Sequence, residues 1–114
     1  MKVWLDDLRP MPSAFYVHAR TATEAIRLLA TGGVTEISLD HDLGEEDNGT
    51  GYEVARWIEE AAFRWGRGED GGLPPVKWAI HSQNPVGLGK MTQALRNAER
   101  FWGMGNAAAK GEMP

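Results

Sequence analysis

The stretch Glu36–Gly51, EISLDHDLGEEDNGTG, changes character midway. Ile37-Ser38-Leu39 has the apolar, β-branched look of a buried strand. Asp40, Asp42, Glu45, Glu46 and Asp47 then crowd together, with His41 wedged between two aspartates. The N-terminus repeats the pattern: Lys2-Val3-Trp4-Leu5 reads as a strand and runs straight into Asp6-Asp7. A strand that ends in concentrated negative charge predicts a rim where carboxylates meet something positive.

Working outward, Pro10 and Pro12 break the chain after the first strand, and Phe15–Ala19 reads as a second. Thr21 followed by Glu24 fits a capping box. Ala22, Ala25, Ile26 and Leu29 then mark one helical face, stopped at Gly32-Gly33. The third strand is Ile37–Leu39. The loop from Leu43 to Gly49 leads to a helix from about Gly51, with Val54, Trp57, Ile58, Ala61 and Trp65 as its stripe. Gly66–Pro75 is a glycine- and proline-rich loop, and Val76–His81 a fourth strand. The last helix follows SQNPVGLG and carries Met91, Ala94, Leu95, Ala98, Phe101 and Trp102 on one face. Residues 1–102 therefore form a single domain, and residues 103–114, which lack apolar periodicity, are expected to be a flexible tail.

Strands that alternate with helices predict right-handed crossovers and parallel pairing. The expected fold class is α/β, a small open and mostly parallel sheet of about four strands with helices on both faces. Ligands bind such sheets beyond the carboxyl ends of the strands. Asp6-Asp7, Asp40-His41-Asp42 and His81-Ser82 all follow strands, so they are expected on one rim.

Composition narrows the function. With 114 residues the chain suits one domain, and 42% hydrophobic content supplies a core. The absence of cysteine excludes disulfides, thiolate zinc sites and cysteine nucleophiles. The N-terminal MKVWLDDLRP lacks a signal-peptide core, and no stretch approaches the roughly 18 apolar residues of a membrane span, so a cytoplasmic protein without membrane association is expected. The net charge of -4 argues against general binding of duplex nucleic acid. That acidity is local, because seven of the acids fall in Asp6-Asp7 and the Asp40–Asp47 segment.

Carboxylates gathered on one rim raise one another's pKa, and a hard divalent cation removes the conflict. Magnesium or manganese is the expected cofactor, held by Asp6 or Asp7 together with Asp40, with Asp42 a third candidate ligand. Glu45, Glu46 and Asp47 precede a helix N-terminus and read as a solvated loop. His41, between two acids, is expected to favour its protonated form, and His41 and His81 are the candidate general acids and bases. His18 reads as structural. HSQNPVGLGK (His81–Lys90) predicts a turn into a helix N-terminus that suits an anion, with Ser82, Asn84, the Gly87 backbone and Lys90 as phosphate contacts. Arg9 is a further candidate phosphate clamp.

Taken together, WLDDLRP (Trp4–Pro10), TATEAIRLL (Thr21–Leu29), ISLDHDLG (Ile37–Gly44) and IHSQNPVG (Ile80–Gly87) resemble the cyclic-phosphate processing receiver-like family. That family looks like a divergent branch of the receiver domains of two-component signalling. The resemblance spans Met1 to Phe101 and implies a truncated receiver-like, flavodoxin-like sheet. It also implies magnesium at Asp6, Asp7 and Asp40, with Asp40 as the phosphoryl acceptor and Ser82 beside it. The chain departs from receivers in three ways. A proline-rich link replaces the helix after the first strand. The fifth strand and its lysine are missing unless Lys90 substitutes. His41, Asp42 and His81 are additions.

Those additions favour a metal-dependent phosphoesterase acting on a cyclic phosphate or related phosphoester, such as a nucleotide or RNA end, with Asp40 as a ligand or a nucleophile. The alternative is a regulatory module that accepts a phosphoryl group at Asp40, or that binds a phosphorylated nucleotide without turnover. A protein partner fits either reading.

Overall fold

The computed structural model describes residues 1–15 and 17–109 of the chain, with 104–109 as backbone only. Four strands, β1 (Lys2–Leu5), β2 (Val17–Ala19), β3 (Glu36–Leu39) and β4 (Lys77–Ile80), form one sheet in the order β2-β1-β3-β4. Every pairing is parallel. Helix α1 (Ala22–Ala30) joins β2 to β3, α2 (Gly51–Gly66) joins β3 to β4, and α3 (Pro85–Ala109) follows β4. The fold is thus the expected four-strand parallel α/β sheet with three helices.

Register sorts the side chains by face. Val3 lies beside Val17 and Ile37, and Leu5 beside Ala19 and Leu39. Val3, Leu5, Ala19, Ile37 and Leu39 are fully buried with Leu29 of α1, Val54 and Ile58 of α2, and Met91 and Leu95 of α3. The other parity puts Lys2, Trp4, Ser38, Lys77 and Ala79 on the opposite face, where Lys77 and Ala79 are exposed.

The sequence expectation placed helices on both faces; all three gather on one. The reason is topological. Both helical crossovers, β2 to β3 and β3 to β4, step in the same direction across the sheet, and right-handed connections then fall on the same side. Contacts of α1 with α2, and of α2 with α3, agree. The opposite face receives the proline-rich link, whose Phe15 meets Trp4 edge-on at 5.4 Å.

Caps fix where the helices start. Thr21 accepts from the Glu24 N–H at 3.1 Å, as its sequence spacing predicts. Thr50 does the same for Glu53 at 3.3 Å. At α3 the Asn84 side-chain oxygen accepts from the Gly87 N–H at 3.0 Å, with Pro85 in the first turn. At the other end of the sheet, the Trp102 indole N–H donates to the Leu73 carbonyl at 2.8 Å, pinning α3 to the glycine-rich loop. The α3 backbone runs to Ala109, into the stretch expected to be a tail; residues 110–114 lie outside the described residues, as does Tyr16. Among the described residues no helix is long and apolar enough to cross a membrane.

Two glycines permit the close approach of helices to the rim. A Cβ on Gly51 would collide with the Asp40 carbonyl and the Met91 sulfur, and one on Gly87 with the His41 ring. The backbone carbonyl cannot step aside. Gly51→Ala is expected to cost about 1–3 kcal/mol of stability, as overpacking does. Urea denaturation monitored by tryptophan fluorescence measures it, and an unchanged midpoint would contradict the packing described.

Candidate functional site

Strands β1, β3 and β4 each aim a polar residue past their carboxyl ends on the helix-free face. Asp6 continues the parity of Trp4, Asp40 that of Ser38, and His81 that of Ala79. Their donor atoms all lie within 4.8 Å of one another. Asp6 and Asp40 edge a groove of about 540 Å³ lined also by Asp7, Leu8, Arg9, Asp42, Gly44 and Gln83.

Asp6 is the anchor. Its side chain is only 1% exposed. One carboxylate oxygen accepts from the backbone N–H groups of Leu8 and Arg9, both at 2.9 Å. The other lies 3.0 Å from His81 Nε2. Burial opposes its ionisation, but the N–H groups of Arg9 and Leu8 and the His81 ring together win, and the pKa falls below the usual carboxylate value. Asp40 shows the opposite balance. Burial and the neighbouring Asp6 charge raise its pKa, against the help of the His41 N–H at 2.8 Å, His81 and Arg9.

The His81 ring stacks on Trp4 at 3.8 Å and 4° between planes. Its Nδ1 meets the buried Ser38 hydroxyl at 2.8 Å. Burial pushes its pKa down despite the pull of Asp6 and Asp40. With His81 neutral and Asp6 ionised, Nε2–H donates to Asp6 and Nδ1 accepts from Ser38. Arg9 closes the corner by donating through Nη1 to the His81 carbonyl at 2.6 Å.

His41 belongs to a neighbouring cluster. Its Nδ1 pairs with Asp42 at 2.8 Å, and its ring abuts Gly87. The His41 hydrogen bond holds the Asp42 pKa below the ordinary value. The Asn84 amide nitrogen, oriented by its capping role, lies 3.4 Å from both His41 Nδ1 and the Asp42 carboxylate.

The remaining candidates fall differently. Asp7 lines the groove beside Gly44 but stands outside the three-residue cluster. The Ser82 hydroxyl accepts from the Asn84 N–H at 3.1 Å. The helix starts at Pro85, before the glycines expected to shape the turn, so Gly87 lies in the first turn of α3 and Lys90 in its second. The Gly87 N–H is taken by Asn84, and the Lys90 ammonium stands over the Tyr52 ring, 5.8 Å from its centroid, in a different groove. Glu45, Glu46 and Asp47 are exposed in a loop with a single 3-10 turn, in keeping with a solvated segment. His18 bonds the Asp6 carbonyl at 2.7 Å, in line with a structural role.

Sequence reasoning missed Ser38, Trp4 and Gln83. Strand parity was the available signal for two of them: Ser38 shares a face with Asp40, and Trp4 with Asp6.

Two carboxylates and an imidazole converging from three strands fit a divalent cation by donor chemistry. Burial, and after it the neighbouring Asp6 charge, raise the Asp40 pKa, and a cation at this point would relieve the second of these.

Fold and rim together define a receiver-like α/β domain. The family model for the cyclic-phosphate processing receiver domain matches residues 1–97, and the chain belongs to that family. No curated protein and no solved structure matches it significantly.

Two outcomes follow from the charges. Burial and the Asp6 charge hold the folded pKa of Asp40 above the usual carboxylate value, so its ionisation destabilises the metal-free fold as pH rises through that folded value. Asp40→Asn should therefore melt a few degrees higher than the parent at pH 7 in EDTA; a lower Tm contradicts a net cost of ionising this buried carboxyl beside Asp6. His81 is depressed below 6.5, so its contribution is complete above pH 6.5 and declines as pH falls below it. Urea midpoints between pH 7.5 and 5 should show that decline, and His81→Gln should flatten it.

Proposed function

We propose that this chain is a cytoplasmic, metal-dependent phosphoesterase that opens a cyclic phosphate or a related phosphoester on a nucleotide or RNA end. The observation that carries the reading is the convergence of Asp6, Asp40 and His81 within 4.8 Å at the ends of three strands. These three would hold the cation, with Asp7 and Asp42 along the same groove. A bound divalent cation supplies charge neutralisation and polarises phosphoryl oxygens.

The chain's own groups divide the rest of the work. Asp6 keeps its charge because two backbone N–H groups and a histidine hold it ionised. His41, tied through Nδ1 to Asp42, has Nε2 left for giving a proton to the leaving oxygen or taking one from water. Asn84 fixes the orientation of that pair from the α3 terminus. His81, expected as a second acid or base, is held at Nδ1 by Ser38 with Nε2 beside Asp6 and close to Asp40, which supports a ligand role over proton exchange. The guanidinium of Arg9 and the side chain of Gln83 edge the groove, where phosphate oxygens would lie.

The regulatory alternative puts a phosphoryl group on Asp40. Lys90, the one substitute considered for the missing receiver lysine, stands over Tyr52 instead, which weighs against receiver-type switching.

Incubation of the protein and manganese with a panel of 2',3'- and 3',5'-cyclic nucleotides separates the two readings. Turnover is expected, reduced about 100-fold or more in His41→Ala, as for loss of a general acid or base. No turnover on any member, with Asp40 labelled by acetyl phosphate, would favour the regulatory reading.

A further inference from the structure

Among the described residues, only two polar or charged side chains are buried, Asp6 at 1% and Ser38 at 5% exposure. Both hold the same ring. Ser38 lies against Nδ1 of His81 at 2.8 Å and Asp6 against Nε2 at 3.0 Å, while Trp4 covers one ring face at 3.8 Å. Burying a hydroxyl within a parallel sheet is costly unless it is bonded. Its position beneath His81 therefore calls for an explanation beyond packing.

The hydroxyl has a property no apolar neighbour offers: it both donates and accepts. Without a cation, Nε2–H donates to Asp6 and Ser38 donates to Nδ1. With a cation in the space shared by Asp6, Asp40 and His81, the imidazole proton would sit on Nδ1 and donate to Ser38 Oγ, leaving the Nε2 lone pair for the ion. The ring stays neutral in both states, and no proton is gained or lost. The Asp6 oxygen and Nε2, 3.0 Å apart, are the atoms that would face such an ion together.

We propose that Ser38 is a positioning residue that presents His81 Nε2 as a nitrogen ligand, so that the rim selects an imidazole-accepting transition dication, of the manganese, cobalt or zinc class, over magnesium. The proposal rests on the metal-dependent reading above and narrows it. Magnesium prefers an all-oxygen octahedron, and a histidine in the donor set penalises it. Residues that orient a ligating histidine from behind govern metal affinity about 10- to 100-fold.

The test uses the full chain and the metals alone. Competition titrations should give manganese and zinc at least tenfold tighter binding than magnesium. Ser38→Ala should weaken manganese about tenfold, while Ser38→Thr, which keeps the hydroxyl, should stay near the parent. Pulsed electron paramagnetic resonance of the manganese-loaded protein should show modulation from a directly bound nitrogen, absent in His81→Gln. Binding without nitrogen modulation, or with magnesium equal to manganese, overturns the proposal and leaves the metal-dependent reading standing. No binding of any dication overturns both. If Ser38→Ala fails to fold, the nitrogen signal of the parent protein and the affinity of Ser38→Thr still decide.

Discussion

The buried carboxylate of Asp6 organises everything around it. A charge this enclosed is tolerated only when its oxygens are satisfied, and here two backbone N–H groups and one imidazole do so. Meeting that demand bends the chain at Leu8 and Arg9, turning the segment after β1 into a tight link. The same demand fixes His81, brings the Arg9 guanidinium onto the His81 carbonyl, and so ties the end of β1 to the end of β4 across the intervening β3.

The missing crossover helix then has a functional consequence. With no helix among the described residues between β1 and β2, α1, α2 and α3 lie on one side, and the rim residues project from the other face. Parallel sheets are ordinarily covered on both faces. Here the far side keeps polar and small residues, Lys2, Ser38, Lys77 and Ala79, next to Trp4 and His81. On the helical side the Gly51 and Gly87 contacts press the starts of α2 and α3 against Asp40 and His41. The two polar clusters, Asp6–Asp40–His81 and His41–Asp42–Asn84, are thereby neighbours through the Asp40-His41 peptide.

Much of this was legible in the sequence. Apolar strands ending in charge, helical stripes bounded by Thr21 and the glycines, and the acid runs after β1 and β3 placed the sheet and its rim. Periodicity within one element is local information, and it served well. Helix placement relative to the sheet was not local: it depended on strand order, which the sequence pattern did not reveal. The surroundings of Lys90 and Gly87 were hidden for a related reason. Glycines suggested a turn, but the Asn84-Pro85 pair starts α3 before them, so tertiary contact with His41, not turn chemistry, accounts for Gly87. Ser38 escaped notice because a lone serine in an apolar strand looks like filler until the His81 ring, two residues beyond its cross-strand partner Ala79, is seen to reach it.

Diffraction from a crystal soaked in manganese, recorded for anomalous scattering, tests the central claim most directly. The account predicts a single strong peak roughly 2.0–2.3 Å from oxygens of Asp6 and Asp40 and from a ring nitrogen of His81. A peak elsewhere on the surface, or none at saturating manganese with the rim freely accessible, would contradict it.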